Sequence, residues 1–319
     1  MLKIHFLNVG HGDCIIVEFS DNDRTAIIDI NRSSNYDSET EKELVEENLN
    51  RVFDQAFKSI FYAKSVSNED LFKKAGYAVK IQDPIQYVHD NSIGKLFRFI
   101  STHPHMDHLS GLHSLKSDIG FYNFWVIKNE FTQTISDLSD SQKNDWKLYT
   151  SFRDCNEKTY DGIYVVRPEE GDSLDFWKQD GISILAPNKE LLKTSKEKDN
   201  PNIMSYVLLI TYGQTKIILG GDAEEDTWSY LVDNYPDLIS DIQILKASHH
   251  GRDSGYYQPA VKLMSPDYVV VSVGKKPKTD ATSKYKQYSD NVFSTRWKGN
   301  IVFECFKDGS VYCNTQYNS

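Results

Sequence analysis

Six consecutive residues constrain this chain more than any others: His103-Pro104-His105-Met106-Asp107-His108. Residues 96–101 in front of them are apolar and β-rich and read as a strand, so the cluster lies where a strand ends. Side chains two apart on extended backbone point the same way, so His103 and His105 face one point. Asp107 and His108 follow a bend and face a second point close by. Imidazole together with carboxylate is a donor set for zinc, manganese or iron. Three histidines and an aspartate in six residues exceed what a polar surface loop requires.

The arrangement recurs twice. Residues 215–219 form an apolar strand that runs into Gly220-Gly221-Asp222, where the glycines permit close backbone approach and Asp222 projects at the strand end. Residues 242–246 form another strand, followed by Ala247-Ser248-His249-His250-Gly251. Of the nine histidines, His103, His105, His108, His249 and His250 thus lie in two strand-end motifs. Strand followed by ligand-type residue, at three places, predicts a metal site at one edge of a sheet.

The rest of the chain alternates strand and helix. Residues 3–7, 14–19 and 25–30 are short β-rich runs separated by Gly10-His11-Gly12-Asp13 and Ser20-Asp21-Asn22-Asp23. Further strands are expected at 163–166, 182–186, 204–212, 268–272, 301–306 and 311–313, and helices at 142–152 and 224–234. Two polar stretches with helical character, about 33–95 and 128–160, read as insertions in one domain spanning 1–319. Hydrophobic residues at 39% and charged residues at 26% exclude a disordered chain. The apolar runs are strand-sized, so no membrane span is expected, and no signal peptide opens the sequence. A net charge of −10 argues against a general nucleic-acid coat protein. Cys14, Cys155, Cys305 and Cys313 show no C-x-x-C spacing, so no disulfide framework is expected and the compartment reads as cytoplasmic.

H-x-H-x-D-H, then a strand ending in Gly-Asp, then His-His-Gly, resembles the metallo-β-lactamase superfamily of metal-dependent hydrolases. The sequence is most similar to the hydrolase domain of the DNA-uptake competence protein ComEC and its stand-alone relatives. That likeness rests on Phe6-Leu7-Asn8-Val9-Gly10-His11-Gly12-Asp13, Ile28-Asp29, Thr102-His103-Pro104-His105, Leu219-Gly220-Gly221-Asp222-Ala223-Glu224 and Leu245-Lys246-Ala247-Ser248-His249-His250-Gly251. It covers residues 1–30, 99–115, 200–255 and, loosely, 267–312, and leaves out the two insertions. The resemblance implies an α/β fold, a four-layer αβ/βα sandwich with helical insertions, and two divalent metal ions, zinc or alternatively manganese. It places His103 and His105 on one metal, Asp107 and His108 on the other, and Asp222 between them. It favours His250 over His249 as the last ligand, an order the residues alone leave open. Asp29 and Asp13 are expected to orient ligands from behind, and His11 to reach the same edge. Asp107 and His249 are expected to take catalytic roles, with His249 or a metal-bound water as the proton donor to the leaving group. A hydroxide bridging the metals serves as the nucleophile, so no serine or cysteine nucleophile is required.

Two departures bear on substrate. No histidine occurs between His113 and His249, where most of the superfamily has a third ligand for the first metal; the segment Asn200-Pro201-Asn202-Ile203-Met204-Ser205 stands there, with Asn202 expected to face substrate. Relatives also carry His-Pro after the strand at 269–274, where this chain has Thr279-Asp280-Ala281-Thr282-Ser283. Around that position lie Lys275, Lys276, Lys278, Lys284, Lys286, Arg296 and Lys298, an unusual concentration of cations in an acidic chain. Lys275, Lys276 and Lys278 are expected to form a phosphate-binding lip, which points to a phosphodiesterase or nuclease acting on nucleic acid or a nucleotide. The alternatives are hydrolysis of an ester, lactone or lipid headgroup, or a metal-binding scaffold without turnover. The helical insertion is a candidate surface for a protein partner.

Overall fold

The architecture is that of a computed structural model, which describes residues 1–19, 21–33, 36, 40–44, 46–47 and 80–317. Most of the helical stretch expected between 38 and 75 lies outside them. Fifteen strands follow in chain order among the described residues: β1 Leu2–Phe6, β2 Ile15–Phe19, β3 Arg24–Ile28, β4 Leu96–Ile100, β5 Phe121–Trp125, β6 Thr159–Tyr160, β7 Ile163–Val166, β8 Ile182–Ala186, β9 Val207–Tyr212, β10 Thr215–Leu219, β11 Ile244–Lys246, β12 Tyr268–Val271, β13 Asn291–Ser294, β14 Ile301–Cys305 and β15 Val311–Thr315. They form two sheets, ordered β15-β14-β1-β2-β3-β4-β5-β7-β6 and β13-β12-β11-β10-β9-β8.

Period-two alternation sets the layers. In β2, Ile15, Val17 and Phe19 face the core between the sheets, while Ile16 faces the outer helices. In β10, Ile217 and Leu219 meet that same core, and Ile218 points the other way, towards Trp228 and Leu231 of the helix Glu225–Asn234. The outer face of the first sheet is covered by the helices Pro84–Asp90, Leu112–Asp118 and Asp140–Asp154, through Val88, Leu115, Trp146, Tyr149 and Phe152. Helix, sheet, sheet, helix is the four-layer sandwich expected from the resemblance. The helix Asp140–Asp154 falls within the segment read as an insertion, yet it is part of this outer layer. No helix among the described residues is long and apolar enough to cross a membrane.

Both sheets change from antiparallel to parallel pairing part-way across. β3, β4 and β5 run parallel in one, and β10, β11, β12 and β13 in the other. The carboxyl ends of β4, β10, β11 and β12 therefore open at one edge, where loops need not continue the ladder and side chains are available for chemistry. All four cysteines are free.

Candidate metal centre

The centre begins where β3 ends. Asp29 takes a left-handed backbone, φ +56°, and is buried. It accepts hydrogen bonds from the Thr102 amide at 2.7 Å and the Thr102 hydroxyl at 2.6 Å, and from His108 Nδ1 at 2.7 Å. The Nδ1 proton of His108 is thereby fixed, and Nε2 is the nitrogen turned to the centre. That nitrogen lies 3.3 Å from Asp222 Oδ1. Having given its own proton to Asp29, the Thr102 hydroxyl accepts from His103 Nδ1 at 3.1 Å. His103 Nε2 is then free to donate electrons, and faces His105 Nδ1 at 3.1 Å and Asp222 Oδ2 at 3.7 Å. One turn of 3-10 helix, Met106–His108, follows and swings Asp107 across the opening.

Asp222 enters from the end of β10. A side chain at Gly220 would place its Cβ 2.7 Å from the Trp228 ring, and Gly221 takes φ +51° with Thr102 against it, so both glycines are required by contact. The Asp222 amide donates to Ser205 Oγ at 3.2 Å. His249 and His250 follow β11 with φ of +50° and +53°. Such angles cost about 1–3 kcal/mol each in a residue other than glycine and persist only where the surroundings enforce them. His250 Nδ1 donates to the Ser272 carbonyl at 3.0 Å, which turns Nε2 towards Asp107 Oδ2 at 3.2 Å and Asp222 Oδ2 at 3.6 Å. His249 Nδ1 instead meets Glu224 Oε1 at 3.0 Å and Ser254 Oγ at 2.7 Å, with Nε2 3.9 Å from Asp222.

Three groups of donor atoms result, each within 4.8 Å of one another: His103, His105 and Asp222; Asp13, His108, Asp222 and His250; and His11, Asp107 and His250. All six residues expected as ligands come together, and Asp222 belongs to two groups. Asp13, expected behind the ligands, lies among them. Charge explains what such a set requires. Asp13, Asp29, Asp107 and Asp222 face a single ammonium, that of Lys246, which is wholly buried, contacts Asp13 and lies 3.6 Å from Asp222. Burial lowers the pKa of His103 and His105, which stay neutral. Burial opposes charge on His108 as well, but Asp222, Asp29 and Asp107 outweigh it and raise its pKa well above the ordinary value. Against the same desolvation, His108 and His250 hold the carboxyls of Asp107 and Asp222 below the carboxylate range. His108 Nε2 and Asp222 Oδ1 are buried without a hydrogen bond. The carboxylates, which raise His108 and His250 while His103 and His105 stay neutral, and the unsatisfied donor atoms fit divalent cations bound among these residues.

The sequence reading assigned no role to three residues. Lys246 was visible as a lysine at the end of an otherwise apolar strand, a position that requires a buried partner. Glu224 is held by Asn200 at 2.7 Å and Asn202 at 3.1 Å, and against the desolvation that would raise it, His249 and these amides lower its pKa to about 2. Asn202 is itself buried, with its amide on Glu224. Arg252 meets His11 Nε2 at 3.3 Å, a contact that no local pattern announces. Lys276 and Lys278 are exposed on a loop rooted at Gly274, which abuts the His11 backbone; Lys275 on that loop is half-buried. Further along, Arg296 is buried in ion pairs with Glu43 and Glu47, and Lys284 is paired with Asp253. The seven cations therefore do not make one continuous lip.

No protein-family profile and no curated protein matches the sequence. Among solved structures, the chain is similar over 95% of its length to Igni18, a metallo hydrolase from the hyperthermophilic archaeon Ignicoccus hospitalis, covering 99% of that chain at 14% identity and a TM-score of 0.48. CmlA, a diiron β-hydroxylase from Streptomyces venezuelae, matches over 94% of this chain and 53% of its own, at 11% identity and a TM-score of 0.44. Yeast PDE1 matches over 92% of this chain and 98% of its own, at 13% identity and a TM-score of 0.40.

Proposed function

We propose that this chain is a metal-dependent hydrolase that cleaves phosphodiesters, of the ComEC-like kind that its motifs resemble. The observation that carries the reading is the convergence of His103, His105, Asp107, His108, Asp222 and His250 at one sheet edge, with buried donor atoms lacking any hydrogen bond. His103, His105 and Asp222 hold one divalent cation, zinc or manganese. Asp107, His108, Asp222 and His250 hold a second, with Asp13 beside them. Bound there, divalent cations supply Lewis acidity and an activated water at neutral pH.

The protein's own groups do the rest. Asp29 keeps His108 in one tautomer through Nδ1, and Thr102 does the same for His103. The Ser272 carbonyl orients His250. Glu224, braced by Asn200 and Asn202, holds the Nδ1 proton of His249, whose Nε2 is directed at the Asp222 side of the centre. His249 is thus placed to pass a proton from Nε2 to the departing oxygen. Lys276 and Lys278 on the neighbouring loop draw an anionic substrate to this edge.

Elemental analysis together with a substrate panel tests the reading. The panel comprises bis-p-nitrophenyl phosphate, single- and double-stranded DNA, RNA, cyclic nucleotides, p-nitrophenyl acetate and a lactone. About two divalent ions per chain and turnover of phosphodiesters are expected. Turnover of the ester or lactone alone, or an active protein without transition metal, would overturn it.

A further inference from the structure

Unlike Lys276, Lys284 and Arg296, Arg252 has no carboxylate partner among the described residues. Its neighbours Asp253 and Asp280 are each taken by a lysine, Lys284 at 2.9 Å and Lys276 at 3.7 Å. The guanidinium makes one side-chain hydrogen bond, from Nη2 to His11 Nε2 at 3.3 Å, and Nε is buried without a partner. Guanidinium carries five N–H donors and no acceptor, so most of its capacity is unused.

Neither partner in this contact is free to drift. The Arg252 amide donates to the His249 carbonyl at 2.9 Å, its carbonyl accepts from Gly255 at 3.1 Å, and its backbone bridges to Asp280. The His11 carbonyl accepts from Asn31 at 2.8 Å, and Gly274 packs so tightly that a Cβ there would lie 2.8 Å from the His11 amide. The proton in the Arg252–His11 contact comes from Arg252, because guanidinium cannot accept one. His11 Nε2 therefore uses its lone pair, and Nδ1 carries the ring proton. That Nδ1 is also buried without a partner. The His11 ring lies against that of His250, centroids 4.7 Å apart, so these idle donors border the centre directly.

With Nε2 turned to Arg252 and Nδ1 protonated, His11 offers no lone pair to the group it could form with Asp107 and His250, and a guanidinium has none to offer. These N–H donors suit an anion arriving with the substrate, and the planar fork of arginine matches two oxygens of a phosphoryl group. We propose that Arg252, with the Nδ1–H of His11 beside it, anchors the reacting phosphoryl group and makes the centre selective for phosphodiesters over neutral esters. This rests on the phosphodiesterase reading above.

The test compares metal-loaded wild type with Arg252→Ala and Arg252→Lys. The readouts are kcat and KM for bis-p-nitrophenyl phosphate, calorimetric binding of inorganic phosphate, and metal content. Loss of a charge-assisted, forked contact is expected to weaken phosphate binding and lower kcat/KM about 10- to 100-fold in Arg252→Ala. Metal content should be unchanged. Arg252→Lys should recover only part, since an ammonium lacks the fork. Unchanged phosphate binding and kcat/KM in Arg252→Ala would overturn the anchor, as would loss of bound metal, which would make Arg252 a support of the ligand set. A wild type that turns over esters but no phosphodiester refutes the functional reading itself, and is told apart by needing no variant.

Discussion

Replacing Lys246 by Met removes the only ammonium that the described residues place inside the centre while keeping an unbranched stem. The Nζ atom contacts Asp13, lies 3.6 Å from Asp222 Oδ1, and donates to the Gly221 carbonyl at 2.9 Å. At an effective dielectric of about 20, unit charges at that separation attract by about 4–5 kcal/mol. Met has no ammonium to desolvate, which offsets part of this, but the Gly221 carbonyl loses its donor. The metal-free variant should therefore be less stable by about 3–5 kcal/mol, as when a buried pair is broken from one side. Divalent cations replace the missing charge, so the metal-loaded variant should lose less. The difference must reappear as tighter metal binding, about tenfold for each 1.4 kcal/mol. Urea unfolding with and without saturating zinc or manganese measures the first quantity, and competition with a chromophoric chelator the second. Weaker metal binding by Lys246→Met would refute the reasoning. Lys246 would then act by holding Gly221, and through it Asp222, in place.

Three further outcomes are expected. Asp222→Ala should abolish hydrolysis and deplete metal while leaving the far-UV circular dichroism near that of the wild type, because Asp222 belongs to two of the donor groups; normal turnover by a folded, depleted variant would misplace the centre. Asp29→Asn replaces one acceptor oxygen by an amide donor facing Thr102 or His108, so metal affinity should fall about 10- to 100-fold, the usual effect of losing a group that orients a ligand; unchanged affinity in a chelator titration would remove Asp29 from that role. Lys276→Glu combined with Lys278→Glu should raise KM for a phosphodiester more than it lowers kcat, and flatten the salt dependence of KM, because exposed cations contribute uniform, screened binding; an unchanged KM and salt response would reduce these lysines to a solvated loop.

The strands that hold ligands were legible because their signal is local. An apolar run followed by His or Asp marks β4, β10 and β11 within a residue or two of their observed bounds. Three strands were passed over, one of them the two-residue β6. In β5, Asn123 interrupts an aromatic run, and only the folded sheet reveals that its amide bonds the Phe97 carbonyl at 2.6 Å while its oxygen accepts from Trp125 at 2.9 Å. β13 consists of four half-buried residues pairing with β12 alone, between charged segments, so it carries no continuous apolar pattern. Arg296, counted among the cations near the site, likewise shows no local signal of its place: it is drawn inside by Glu43 and Glu47, more than two hundred residues away in sequence.

The same division between local and distant information runs through the centre itself. His249 and His250 are adjacent, chemically identical and share one backbone conformation, so no sequence pattern separates them. What separates them is the acceptor that each Nδ1 finds. The carbonyl of Ser272, at the end of β12, takes the proton of His250 and leaves Nε2 aimed at Asp107 and Asp222. A carboxylate, Glu224, takes that of His249, whose Nε2 stays 3.9 Å from Asp222. A cation beside Asp222 is better served by the first ring, whose Nε2 lies 3.2 Å from Asp107 and 3.6 Å from Asp222. The two histidines are thus set apart by β12 and by the Asn200–Asn202 turn that braces Glu224.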